Sequence, residues 1–224
     1  MLYVVPTPIG NLEDMSYRAV STLREVDQIL AEDTRQAKKL CNHYDIDTPL
    51  ASFHMHNEHH RVEGWVAELQ AGKRIAQISD AGMPGISDPG FLLVRACVEA
   101  LIPLTVLPGS TAFLPALVAS GLPCDRFYFE GFLPPKKGKN TRLEYLKASE
   151  ETLVLYVSPY KAIKDLKKLI EFLGPDRPAC LAREISKIHE EFLRGTLSEI
   201  LENLQQRTKI RGEITLVVAG NKSA

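Results

Sequence analysis

Two carboxylates, a hydroxyl and a guanidinium stand side by side in the sequence Glu32-Asp33-Thr34-Arg35. They follow an apolar run at 28–31 that predicts a strand. A carboxylate can take a proton from a weak nucleophile such as a hydroxyl group, and a guanidinium can bind a phosphate through two parallel hydrogen bonds. The segment therefore predicts Asp33 or Glu32 as an acid or base, with Arg35 as a phosphate contact. A structural interpretation stays open, in which Asp33 or Thr34 only caps the next helix.

A histidine-rich run at 54–60 follows another predicted strand. His54 and His56 alternate as on an extended segment, and no Cys or Asp follows at the spacing of a metal ligand, so we expect no metal site. His54 is a candidate proton carrier or RNA contact, because an imidazole titrates near neutral pH. The alternative is a simple polar loop residue.

The segment 80–90 combines three glycines, two prolines and two aspartates. Glycine permits close approach of a ligand and proline fixes its own φ, which together predict a stiff binding loop. An apolar run at 74–79 precedes it and helix-like spacing follows it. The loop should therefore lie at the carboxyl end of a strand, where open α/β sheets bind ligands.

Two more stiff loops are predicted, at 6–12 after the first strand and at 107–112 after the fifth. In a parallel sheet all three loops lie on one edge, so we expect the turns beginning at Pro6, Asp80 and Pro108 to converge. Ordinary turns with helix caps are the alternative. Neither a GxGxxG fingerprint nor a P-loop is present.

A local basic strip is predicted in the second half of the chain. It consists of Lys136, Lys137, Lys139 and Arg142, and the aromatic run 127–129 precedes it. Phosphate contacts and base stacking would suit RNA. A solvated loop beside core aromatics explains the same residues equally well.

The order of the elements predicts an α/β protein with two domains, 1–115 and 116–224. Short apolar runs alternate with helical periods in the first domain, which favours a mostly parallel five-stranded sheet. Its predicted strands are 2–5, 28–31, 50–53, 74–79 and 104–107, and its predicted helices are 16–25, 34–44, 58–71 and 91–100. The second domain reads as mixed α/β, with strands at 152–157, 179–182, 190–194 and 213–219 and helices at 141–148, 160–173 and 197–206.

The composition of the chain gives expectations about its cellular location and its binding partners. The formal net charge is -1, so any nucleic-acid surface must be local. The four cysteines are scattered without metal-ligand spacing, and no leader peptide or run of ~20 apolar residues is present. We therefore expect a cytoplasmic protein that is neither exported nor inserted in a membrane.

Taken together, these motifs resemble the tetrapyrrole methylase family of S-adenosylmethionine-dependent methyltransferases. Within that family they are similar to a branch that methylates small-subunit ribosomal RNA. The motifs that carry the resemblance lie at 2–12, 31–35, 79–82, 88–90, 107–109, 121–123, 130–134 and 182–184.

The resemblance implies two α/β domains with S-adenosylmethionine folded in the cleft between them. It also implies a homodimer that methylates the ribose 2′-hydroxyl of a cytidine, in small-subunit rRNA or the 30S subunit. The cofactor contacts implied by motif are Pro8, Gly10, Asp80, Gly82, Met83, Ser110, Thr111, Ala112, Tyr156, Ala182 and Thr215.

Two other functions stay open. One keeps the fold and the cofactor but methylates a tetrapyrrole carbon or a modified histidine on a protein. The other is a non-catalytic module that binds S-adenosylmethionine and serves ribosome assembly.

Asp33 is the first candidate for the base or for orienting the ribose, ahead of Glu32 and His54. We expect Asp33→Asn to reduce turnover with little change in cofactor affinity, because the substitution removes a charge but keeps the shape of the side chain. Initial rates and calorimetric titration with S-adenosylmethionine measure the two effects. Unchanged turnover would remove Asp33 from the mechanism.

Overall fold

Five short strands in the first half of the chain carry apolar residues on both faces, as expected for a sheet covered by helices on both sides. In the computed structural model, which describes residues 1–135 and 137–221, they pair in the order β3-β2-β4-β1-β5. Every pairing is parallel. The strands are β1 (Leu2–Val4), β2 (Gln28–Ala31), β3 (Leu50–Ser52), β4 (Ile75–Gln77) and β5 (Leu104–Val106). The predicted five-stranded parallel sheet is confirmed.

Helices cover both faces of this sheet because successive strand residues point to opposite sides. On one face, Ile29 packs with residues of α1 and α2; on the other, Leu30 packs with residues of α3 and α4. The helices are α1 (Tyr17–Glu25), α2 (Thr34–His43), α3 (Glu58–Gln70) and α4 (Phe91–Glu99). A short 3-10 turn, Leu12–Asp14, precedes α1.

The chain divides into two compact units, Met1–Thr111 and Ala112–Ala224. The boundary predicted after residue 115 falls inside α5 (Phe113–Ser120), which belongs to the second unit. Pro115 is tolerated there because it lies in the first turn, where backbone N–H groups have no partner within the helix.

The second unit is built on a mixed sheet in the order β6-β7-β10-β8-β9, in which β6 is parallel to β7 and the other pairings are antiparallel. Its remaining elements are β6 (Phe127–Phe132), α6 (Lys139–Lys147), β7 (Thr152–Val157), α7 (Ala162–Leu173), β8 (Pro178–Arg183), β9 (Glu191–Thr196), α8 (Leu197–Gln205) and β10 (Ile214–Val218). Helices α6, α7 and α8 bury one face around Leu155, Leu181 and Leu216. Helix α5 contacts strands β7, β8 and β10.

Every strand and helix predicted from the sequence is present, with ends within two residues of the prediction. The sequence missed β6, because a register shift between Phe129 and Gly131 interrupts its alternation. Its aromatic residues serve the second unit: Tyr128 packs on the core, and Phe129 contacts the rings of Phe113 and Tyr156.

The helices of the described residues are all too short or too polar to cross a bilayer.

Candidate functional site

Backbone hydrogen bonds join the loop after β1 to the loop after β4. The Thr7 amide donates to the Gly82 carbonyl at 3.0 Å, and the Gly82 amide donates to the Thr7 carbonyl at 2.9 Å. The Thr7 hydroxyl, which is buried, also donates to the Ser79 carbonyl at 3.1 Å. Three bonds from one residue therefore fix the spacing of the two loops.

The loop after β5 reaches the same place. A Cβ atom on Gly82 would lie 3.4 Å from Ile9 Cγ2 and 3.7 Å from the Ser110 carbonyl oxygen. A Cβ atom on Gly109 would lie only 2.7 Å from Pro6 Cγ. Gly82 and Gly109 therefore let the three loops approach one another closely, and the predicted convergence is confirmed within the first unit.

The backbone of Gly82 needs a glycine, because its φ of +81° lies in the left-handed region. The missing side chain also leaves the space beside Ser110 open. A cradle of this kind suits a ligand that is bound mainly through backbone groups.

The other residues predicted as cofactor contacts in the first unit lie around this cradle. Pro8 is half-buried and Gly10 is exposed, while Ser110 and Thr111 are half-buried. The Ser110 hydroxyl donates to the Asp14 carbonyl at 3.4 Å. Met83 packs on the core beside α3 and α4. Their roles as cofactor contacts stay predictions.

Asp33 is the N-cap of α2. Its Oδ1 accepts from the Arg35 amide at 2.8 Å and from Arg35 Nε at 3.0 Å, and its Oδ2 accepts from Arg35 Nη2 at 2.7 Å. The hydrogen bonds from the Arg35 side chain and amide lower the pKa of Asp33 to about 2. A carboxylate with so low a pKa is a weak proton acceptor near neutral pH.

Glu32, His54 and Asp80 follow three neighbouring strands, β2, β3 and β4. The pKa of Glu32 is raised, first because burial disfavours its charged form and then by the negative charge of Asp80; Asp33 adds to the effect and His54 opposes it. Asp80 Oδ1 accepts from the Asp33 amide at 3.1 Å. The structure thus brings together all three predicted catalytic residues and Asp80.

The imidazole of His54 has a buried nitrogen, Nδ1, with no hydrogen-bond partner in the described part of the chain. Its backbone is held firmly, because the His54 amide donates to Asn57 Oδ1 at 2.8 Å. An unpaired imidazole nitrogen at a fixed position is suited to hold a proton or to accept one.

Two residues that sequence reasoning missed hold the far end of the 80–90 loop. Glu58, at the start of α3, is buried, and its Oε1 accepts from the Gly90 and Leu92 amides at 3.0 Å each. Gln77, buried at the end of β4, donates from Nε2 to the Pro89 carbonyl at 3.2 Å. The only signal in the sequence was that a polar residue interrupts an apolar pattern in each case, Glu58 in α3 and Gln77 in β4.

The predicted contacts in the second unit form one row. Thr215 of β10 pairs with Tyr156 of β7 on one side and with Ala182 of β8 on the other. The row continues to Phe132, whose ring centroid lies 5.6 Å from that of Tyr156. These side chains lie on the sheet face opposite the core around Leu155. Ala112 is the N-cap of α5. A cofactor role for Ala112, Tyr156, Ala182 and Thr215 stays a prediction.

Two members of the predicted basic strip, Lys139 and Arg142, form ion pairs within their own unit, while their contacts with RNA stay predictions. Lys139 is buried and forms an ion pair with Asp165. Arg142 binds Glu130 from Nε at 2.8 Å and lies over the ring of Tyr145.

The carboxylate partners of both cations come from other elements of the same unit, Asp165 from α7 and Glu130 from β6, and no local pattern reveals them. Lys137 is exposed, and Lys136 lies outside the described residues. The Arg35 side chain is 88% exposed although it pairs with Asp33, so part of its guanidinium can contact a ligand.

These features define a class of protein: a parallel α/β sheet whose glycine-containing loops meet at the carboxyl ends of the strands, where open α/β sheets bind ligands. The family model for Tetrapyrrole (Corrin/Porphyrin) Methylases matches residues 1–201, and the chain belongs to that family.

Curated relatives match the chain along almost its whole length. A protein from Synechocystis is 50% identical over 98% of this chain and 79% of its own. One from Bacillus subtilis is 48% identical over 100% of this chain and 76% of its own, and one from Thermotoga maritima is 44% identical over 99% of both. Each is named ribosomal RNA small subunit methyltransferase I.

Solved structures share the fold at low identity. A uroporphyrin-III C-methyltransferase from Thermus thermophilus, complexed with S-adenyl homocysteine, has a TM-score of 0.68 at 19% identity and covers 97% of this chain and 96% of its own. A diphthine synthase has a TM-score of 0.76 at 12% identity and covers 97% of this chain and 89% of its own. The fold is therefore common to enzymes with different acceptors.

We expect Gly109→Ala to destabilise the first unit by about 1–3 kcal/mol, because the new methyl group would overlap the Pro6 ring. Gly64→Ala is the matched control: it lies inside α3 with nothing within 4 Å, so the same change should stabilise the helix by roughly 0.5–1 kcal/mol. Urea unfolding followed by the fluorescence of Trp65 measures both. Equal stability of the two variants would contradict the close contact.

Proposed function

We propose that this protein is an S-adenosylmethionine-dependent methyltransferase acting on small-subunit ribosomal RNA in the cytoplasm, with the 2′-hydroxyl of a cytidine ribose as acceptor. The observation that carries the proposal is the 44–50% identity to relatives of that name over 98–100% of this chain. The solved C-methyltransferase at 19% identity supports the fold alone.

The cradle of the first unit fits the cofactor. Thr7 holds the amide and carbonyl of Gly82, and the Ser110 carbonyl oxygen lies 3.7 Å from where a Gly82 Cβ atom would be, so the absent side chain lets a ligand approach the backbone there. When bound, S-adenosylmethionine supplies an electrophilic methyl group. The protein then has to hold the acceptor hydroxyl in line, exclude water and remove its proton.

Glu32 is a better proton acceptor than Asp33. A base works best when its pKa lies close to the working pH; burial and the charge of Asp80 raise the pKa of Glu32, whereas Arg35 holds that of Asp33 at about 2. We therefore assign proton removal to Glu32, with His54 close enough to influence its charge. Asp33 keeps Arg35 in place for a phosphate.

The homodimer that the resemblance implies stays a prediction, and sedimentation equilibrium of the full chain measures it. RNA contact through Arg35 and Lys137 likewise stays a prediction. Fewer cations are available than the sequence predicted, because Lys139 and Arg142 are paired internally. A shallow dependence of RNA affinity on salt would agree with few phosphate contacts.

We expect transfer of labelled methyl from S-adenosylmethionine to unmodified 30S subunits, with the label at a cytidine 2′-oxygen after nuclease mapping. Uroporphyrinogen and a diphthamide-type histidine acceptor serve as the competing substrates. Label on either of them, with none on RNA, would support an acceptor of the other class. Tight cofactor binding with no transfer to any acceptor would support a non-catalytic module.

We expect Glu32→Gln to lower kcat by about 10²–10⁴-fold, because it removes the proton acceptor. The protein should be as stable as the wild type at pH 7 or more stable: a raised folded-state pKa means that ionised Glu32 opposes folding above its unfolded pKa, and glutamine removes that cost.

Asp33→Asn is the matched comparison, because asparagine also caps helices. It should lower kcat less than Glu32→Gln does. Single-turnover rates and thermal unfolding separate the two effects. A wild-type rate for Glu32→Gln would exclude Glu32 as the base.

A further inference from the structure

Helix α4 begins without a cap of its own. Its N-cap is Gly90, which has no side chain to accept a hydrogen bond from the first turn. A larger residue cannot replace it, because a Cβ atom on Gly90 would lie 1.7 Å from Gln77 Nε2 and its φ is +129°. The 80–90 loop therefore ends at a point where the local sequence cannot satisfy the backbone.

Glu58 supplies the missing cap from another helix. Its Oε1 accepts from both the Gly90 amide and the Leu92 amide at 3.0 Å. The Leu92 amide is a group that an N-cap side chain would normally bind. The positive end of the α4 dipole favours the carboxylate at this position.

Burial of the Glu58 carboxylate is unfavourable, because it removes the group from water. Glu58 is 5% exposed, and none of the described lysine, arginine or histidine side chains forms an ion pair with it. A buried charge without a cation is tolerated only when hydrogen bonds satisfy it. Its two bonds to the end of the loop are therefore the reason for its burial.

Gln77 holds the same point from the opposite side. Its Nε2 donates to the Pro89 carbonyl, while its buried Oε1 has no hydrogen-bond partner among the described residues. The reversed amide would place two oxygens against each other. The side chain thus leaves one buried acceptor unpaired in order to bind the loop.

Glu58 also belongs to the segment that carries His54. Its amide donates to the His54 carbonyl at 2.9 Å. The carboxylate therefore links the segment after β3 to the exit of the loop after β4.

The exit of the 80–90 loop is linked back to Met83, because the Gly85 amide donates to the Pro89 carbonyl at 3.2 Å and the Ile86 amide donates to the Met83 carbonyl at 3.3 Å. We propose that Glu58 is a positioning residue for the cofactor: its Oε1 fixes the exit of this loop, and this holds Met83 ready for S-adenosylmethionine. The proposal rests on the proposed function, since it takes that compound as the ligand of the loop.

The test compares Glu58→Ala with Glu58→Gln in the full chain. Alanine removes both bonds, whereas glutamine keeps Oε1 as an acceptor for the two amides. We expect Glu58→Ala to weaken binding of S-adenosylmethionine by about tenfold or more, the equivalent of one lost hydrogen bond to a charged group. Glu58→Gln should stay within about threefold of the wild type. Glu63→Ala, an exposed carboxylate on the same helix, should change nothing.

Calorimetry gives the affinities, and steady-state kinetics should show a higher KM for S-adenosylmethionine with an unchanged KM for the subunit. Wild-type affinity in Glu58→Ala would overturn the proposal. So would an equal loss in both Glu58 variants, because the acceptor atom would then be irrelevant.

A second measurement does not depend on the ligand. Hydrogen exchange at the Gly90 and Leu92 amides in ligand-free protein should be faster in Glu58→Ala than in Glu58→Gln. Wild-type protein that binds no S-adenosylmethionine would refute the proposed function, whereas unchanged exchange at these amides would refute the role of Glu58.

Discussion

The pair of backbone hydrogen bonds between Thr7 and Gly82 is the contact on which the geometry of the first unit's site depends. Strand order alone brings β1 and β4 together, but it leaves the loops beyond them free to diverge. An isolated antiparallel bridge between Thr7 and Gly82 joins the two loops past the end of the parallel sheet. Backbone groups make this bridge, so it uses no side chain of either loop.

Three carboxylates, Glu32, Asp33 and Asp80, lie at the same edge of the sheet, and each has different surroundings. Asp33 is paired with Arg35 and caps a helix, which keeps it ionised. Asp80 accepts from the Asp33 amide. Glu32 has burial and like charges around it, so it is the one whose proton affinity rises. Three neighbouring acids thus have three different surroundings, which is common in acid–base sites.

The cationic side chains also differ in their surroundings, since some are paired inside a unit and others are exposed. In the second unit, Arg142 is held by Glu130 and two aromatic rings, and Lys139 by Asp165. Such pairs fix the start of α6 against its neighbours, and their charges are neutralised inside the unit. Arg35 combines a single carboxylate partner with an exposed guanidinium. A basic sequence is therefore a weak guide to where a polyanion binds.

The sequence by itself determined the types of nearly all elements, the parallel character of the first sheet and the convergence of the loops at Pro6, Asp80 and Pro108. These features follow from the spacing of apolar residues and from the positions of glycine and proline. Both signals affect the backbone only within a few residues, so they can be recognised in the sequence. Only the tertiary structure decided which acid has the raised pKa, that Lys139 and Arg142 are paired internally, and that Glu58 caps α4. Each of these depends on partners 12 to 48 residues away in the chain. Their proximity comes from packing rather than from any local pattern, so no spacing rule could reveal it.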